Sequence, residues 1–125
     1  MILIDTNIII ELLKGSSKVI SKMELISKEE ICISVVTYAE LIFGSRNKVE
    51  QIKLEKKLNE LNIINIDIEI SEIFKNLMKN YSLSHRLNIP DSLIASTSIA
   101  TKSKLFTLNK KNFKYIPEIE FIDFE

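Results

Sequence analysis

The chain has 125 residues, 46% hydrophobic and 27% charged, with a formal net charge of zero. That length suits one domain with a real core, and the even balance argues against a protein whose main task is coating nucleic acid. One cysteine, Cys32, and one histidine, His85, exclude an intrachain disulfide and leave almost no means of building a thiolate–imidazole zinc cage.

The predicted elements alternate. Ile2–Ile4 reads as a buried strand, followed by helices over about 6–14 and 17–27. ICISVV (31–36) is a β-branched strand, TYAELIFGS (37–45) a short helix and the charged stretch 49–61 another helix. IINI (63–66) is a strand, and residues 69–81 have helical apolar spacing. A helix over 91–101 starts at Pro90, KLFTL (104–108) is a strand and EFIDF (120–124) a last short one. Gly15 and Gly44 follow helical patterns, as stop signals do. Nearly all-apolar strands between helices predict an α/β fold, a single domain whose mostly parallel sheet is covered on both faces. No apolar run approaches the roughly 18 residues of a membrane span. The first segment carries Glu11 and Lys14 without a basic leader, so it does not read as a signal peptide. A cytoplasmic protein is expected.

In parallel sheets the binding crevice lies beyond the carboxyl ends of the strands. Asp5-Thr6-Asn7 follows the first predicted strand, and Ser34 and Glu40 lie in and after the second. Thr107, Asn109, Lys110, Lys111 and Asn112 lie in and after the fourth, while Asp91 opens the helix before it. Each has an ordinary reading: Asp5, Thr6 and Asp91 as helix caps, Glu40 as a solvent-edge charge, the Asn/Lys cluster as a turn. Together, however, Asp5, Glu40 and Asp91 interrupt apolar runs at the edges of one crevice. Clustered, desolvated carboxylates are costly unless a cation joins them, and an all-oxygen set favours magnesium or manganese. Such a site could activate water against a phosphodiester. There is no serine–histidine motif and no glycine-rich phosphate loop. A phospho-acceptor domain would want an acid beside Asp5, and an aspartyl-phosphate phosphatase one at Asn7.

The segments LIDTNIII, ISVVTYAELIFGS, PDSLIAST and LFTLNKKNF, in this order across nearly the whole chain, resemble the motifs of PIN-domain proteins, and more closely of VapC-type toxins of VapBC toxin–antitoxin pairs. The resemblance implies a three-layer α/β/α PIN-like fold with a sheet of about five strands. It implies a Mg2+- or Mn2+-dependent endoribonuclease whose metal ligands are Asp5, Glu40 and Asp91. Thr6, Asn7 and Thr107 match the family's supporting groups, with Asn7 orienting Asp5. Arg46, Lys110 and Lys111 are candidate contacts to the RNA backbone. Many PIN proteins carry a fourth acid where this chain has Asn109 and Asn112, so one well-held ion is expected. The resemblance also implies a VapB-type antitoxin whose tail blocks the site, and a homodimer. Ile9, Leu12, Leu13, Ile20 and Met23 on the early helices are open either to such partners or to the core. The rival reading is a catalytically weak PIN domain that binds RNA or protein.

Overall fold

The computed structural model describes residues 1–124. In chain order it has β1 (Ile2–Ile4), α1 (Thr6–Leu13), α2 (Ser17–Glu24), β2 (Ile31–Ser34), α3 (Val35–Phe43) and α4 (Lys48–Leu58). There follow β3 (Asn62–Ile64), α5 (Ile68–His85), α6 (Ile89–Thr101) and β4 (Lys104–Phe106). The four strands form one parallel sheet in the order β3-β2-β1-β4, with Leu3 opposite Cys32 on one side and Leu105 on the other.

Successive side chains of a strand point to opposite faces, and here that divides the core in two. Leu3, Cys32 and Leu105 meet Leu77 of α5 and Ile94 and Ala95 of α6. Ile4, Ile31, Ile33 and Phe106 meet Ile8 and Ile9 of α1, Val19 of α2, Leu41 of α3 and Leu58 of α4. The expected three-layer α/β/α fold is therefore present. Burial of each large apolar side chain contributes about 1.5–3 kcal/mol. Of the early apolar positions, Ile9 is core, Leu12 and Met23 pack against it, Ile20 is half-buried and Leu13 is exposed.

All six helices begin at a side chain that accepts a backbone N–H: Asp5, Ser16, Ser34, Asn47, Asp67 and Asn88. These caps explain where the expected boundaries shift. Ser34 accepts from Val36 N at 3.0 Å, so α3 begins at Val35 in spite of the β-branched pair Val35-Val36. Asn88 accepts from Asp91 N at 2.8 Å, which places Asp91 inside the first turn of α6 and not at its cap. Helix α5 runs on to His85, and α2 stops at Glu24 before a short 3-10 turn at Lys28–Glu30. Gly15, at φ 84°, ends α1 in the left-handed region where glycine is favoured. In place of a fifth strand over 120–124, the described residues show a single parallel bridge from Phe121 to Leu105.

The winding order puts β2 and β3 on one side of β1 and β4 on the other. The change of direction lies between β1 and β4, which is where open α/β sheets bind ligands. Asp5 and Thr107 leave the carboxyl ends of those two strands.

Candidate active site

Asp5 is 5% exposed and Thr107 3%. Asp5 N donates to Phe106 O at 2.9 Å, extending the β1–β4 ladder by one bond. The Asp5 carboxylate then accepts from three sides: Thr6 N at 2.7 Å on Oδ1, and Thr107 Oγ1 at 2.7 Å and Asn7 Nδ2 at 3.3 Å on Oδ2. Asn7 also reaches Thr107 Oγ1 at 3.4 Å, and its Oδ1 accepts from Leu108 N at 3.2 Å. Thr107 Oγ1 accepts from Asn109 N at 3.1 Å. One short network thus fixes the start of α1 to the loop after β4. Asp5 caps α1 and faces the crevice at once, so its two readings were never exclusive.

Glu40 enters through Thr6. Thr6 Oγ1 donates to Glu40 Oε1 at 2.7 Å and shares a 3.0 Å hydrogen bond with Thr37 Oγ1, which is fully buried on α3. Glu40 itself is exposed at the rim, so the cost of burial falls on Asp5. Asp91, half-buried, is steadied by Asn88, which accepts from its backbone N–H and donates Nδ2 to Oδ2 at 3.4 Å.

Two of the three acids feel the charge of a neighbouring acid. Burial pushes the Asp5 carboxyl above the usual aspartate range; the hydrogen bonds from Thr107 and Thr6 pull it down, and the charge of Glu40 pushes it up. Burial also raises Asp91, with the charges of Asp5 and Glu40 adding to it. None of the three forms an ion pair among the described residues. Their side chains nevertheless do not converge into a ready-made cage: no group of three acids, histidines or cysteines among the described residues stands close enough to hold an ion.

The remaining candidates divide. Asn109 is exposed, with only its backbone N–H bonded into the network, while Asn112 shares a small cavity with Asp91. Lys111 borders that cavity and also a neighbouring one lined by Thr107, Lys18 and Lys110. The Lys110 ammonium sits 5.7 Å over the Phe121 ring. Arg46 is committed to Glu50, at 3.1 Å and 3.2 Å from its guanidinium, and lines a mainly apolar groove of about 610 Å³ that ends at Glu40. Asn88 was missed from the sequence, although the Asn-x-x-acid spacing ahead of Ser92 is a capping signal.

A family model described as "PIN domain" matches residues 2–119. The chain is 30% identical to Ribonuclease VapC1 of Haemophilus influenzae, over 97% of this chain and 96% of that one. It is 32% identical to Ribonuclease VapC19 of Mycobacterium tuberculosis, over 96% and 98%. Among solved structures it resembles VapBC2 of Rickettsia felis bound to a DNA fragment from their promoter, with a TM-score of 0.84 and 32% identity across 100% of both chains. A toxin–antitoxin complex from Klebsiella pneumoniae matches with a TM-score of 0.82 and 30% identity over 95% of both chains.

Proposed function

We propose that this chain, which belongs to the PIN-domain family, is the ribonuclease toxin of a VapBC-type toxin–antitoxin pair, and that it cuts RNA with Mg2+ or Mn2+ held by Asp5, Glu40 and Asp91. The observation that carries the reading is the buried Asp5 carboxylate, fixed by Thr6, Asn7 and Thr107 at the β1–β4 switch point, with burial and the charge of Glu40 raising it and Asp91 raised in turn by both charges.

By its chemistry the donor set suits a hard divalent ion, although the three side chains must close in on it to serve as ligands together. It is all oxygen, it holds three carboxylates, and no lysine or arginine among the described residues neutralises them. When bound, the ion supplies Lewis-acid polarisation of the phosphodiester and lowers the pKa of water. The chain's own residues do the positioning. Thr107 and Asn7 hold Asp5 Oδ2, and Thr6 ties the start of α1 to Glu40, so two ligands move as one unit. Asn88 keeps Asp91 at the opposite side. Lys110 and Lys111 supply positive charge for the strand's phosphates, whereas Arg46 is occupied by Glu50 and serves this role poorly. With three acids and Asn109 and Asn112 in place of a fourth, one ion is held well.

The apolar groove ending at Glu40, with Ile10 and Leu13 exposed along it, offers an antitoxin an amphipathic docking face next to the ligands it must cover. Pairing of two such chains into a dimer and a cytoplasmic setting complete the reading. No helix among the described residues is long and apolar enough to cross a membrane.

The test is cleavage of single-stranded RNA by the purified chain with Mn2+, compared with Asp5→Asn and with chelator. Cleavage that needs both the metal and Asp5 is expected. Cleavage surviving Asp5→Asn would overturn the site, and binding without cleavage by either protein would favour a non-catalytic RNA-binding domain.

A further inference from the structure

Asp91 and its partner Asn88 lie on the wall of a polar cavity of about 200 Å³ that extends away from Asp5 and Glu40. Its other walls include His85, Arg86, Lys111, Asn112 and Tyr115. The imidazole of His85 lies flat on the Tyr115 ring, with centroids 4.0 Å apart and planes 14° off parallel. Tyr81 braces both from the side, at 5.1 Å from Tyr115 and 5.7 Å from His85. The platform is joined to the acids: burial, and then the charge of Asp91, raises the Tyr115 hydroxyl.

Arg86 stands at the exit of α5 with φ 55°, a left-handed position that glycine fills at less cost. Lys102 has the same backbone at the end of α6, so the conformation alone marks nothing. What sets Arg86 apart is that it borders the cavity. An aromatic platform whose His85 is exposed on half-buried Tyr115, flanked by a guanidinium and an ammonium and opening onto a catalytic acid, has the chemistry of a single-stranded nucleic-acid groove. There, bases stack on rings while cations follow the phosphates. Lys111 links this cavity to the one lined by Lys18 and Lys110, so the cationic path continues past Thr107.

We infer that the cavity formed by His85, Tyr115, Arg86 and Lys111 is a nucleotide subsite: the RNA base adjoining the scissile phosphate stacks on His85, and Arg86 and Lys111 hold its phosphate. The inference rests on the ribonuclease reading, which makes the strand beside Asp91 an RNA.

Short single-stranded RNA oligonucleotides, titrated by fluorescence anisotropy onto Asp5→Asn protein so that they stay intact, separate the two claims. His85→Ala should weaken binding about tenfold, the size of one base–aromatic stack. It should leave the salt dependence unchanged. Arg86→Gly should weaken binding too and reduce the slope of log affinity against log salt by about 0.7, the value for one phosphate contact to a single strand. Because glycine suits φ 55°, this variant should melt no lower than its parent. Unchanged affinity and slope in both variants would overturn the subsite. If the protein with Asp5 intact still cuts RNA, the ribonuclease reading survives that failure. Conversely, an intact protein that cuts nothing yet binds RNA through His85 and Arg86 would keep the subsite and sink the enzyme.

Discussion

Replacing Thr107 with valine removes the shortest side-chain bond to Asp5 while keeping the shape of the side chain. Thr107 Oγ1 donates to Asp5 Oδ2 at 2.7 Å, and both residues are buried. A hydrogen bond to an ionised group contributes about 1.5–3 kcal/mol. The Asn109 N–H that loses its acceptor belongs to an exposed residue and can turn to water. Valine fills nearly the same volume, so no cavity adds to the loss. The net cost should be about 2 kcal/mol at neutral pH, which for a domain of this size is roughly 6–12 °C in Tm. Because the bond strengthens with the charge on Asp5, the cost should fall to about 1 kcal/mol in acid, at a pH below the ordinary aspartate value, where the raised carboxyl is protonated. Urea unfolding of wild type, Thr107→Val and Thr107→Ser at the two pH values measures this. Thr107→Ser keeps the donor and should recover most of the loss. A loss equal at both pH values, or one that serine fails to recover, would refute the reasoning.

The raised Asp5 and Asp91 carboxyls give the divalent-free protein a second pH signature. The folded state holds protons that the unfolded chain has released, so their stabilising effect is complete below the unfolded aspartate pKa of about 3.9 and is lost as pH rises through the folded values. Relative to wild type, Asp5→Asn should therefore be more stable at neutral pH than in acid, and the opposite trend in urea midpoints would contradict this. Asn88→Ala removes the cap of α6 and the contact with Asp91. It should cost about 1 kcal/mol and weaken Mn2+ binding about tenfold, checked by melting and metal titration. Ser92 Oγ is fully buried and is without a hydrogen-bond partner among the described residues. Ser92→Ala should leave the protein as stable or raise it by about 1 kcal/mol in urea unfolding.

The layers and the acids were legible because both rest on local pattern. Leu3, Ile4, Ile33 and Phe106 announce strands buried on both faces, and Asp5, Glu40 and Asp91 stand out against apolar neighbours. Boundaries failed where a cap overrode propensity: Ser34 turns Val35-Val36 into a helix, and Asn88 starts α6 ahead of Pro90. The last strand shrank to one bridge: Leu105 N donates to Glu120 O at 2.7 Å and Ile122 N to Leu105 O at 3.2 Å, and the ladder goes no further among the described residues. The apolar neighbours of Glu40 leave it either buried or at a rim, and the helix places it at the rim. The bond of Arg46 to Glu50 and the stack of His85 on Tyr115 were not legible. The first depends on the turn into α4, and the second joins the end of α5 to the loop after β4 through tertiary packing alone.

The central claim is that Asp5, Glu40 and Asp91 hold one divalent ion. Calorimetric titration of the RNA-free protein with Mn2+ tests it most directly. One saturable site per chain is predicted, lost in Asp5→Asn and weakened in Glu40→Gln and Asp91→Asn. No saturable heat, two tight ions, or a binding curve that Asp5→Asn leaves unchanged would contradict it.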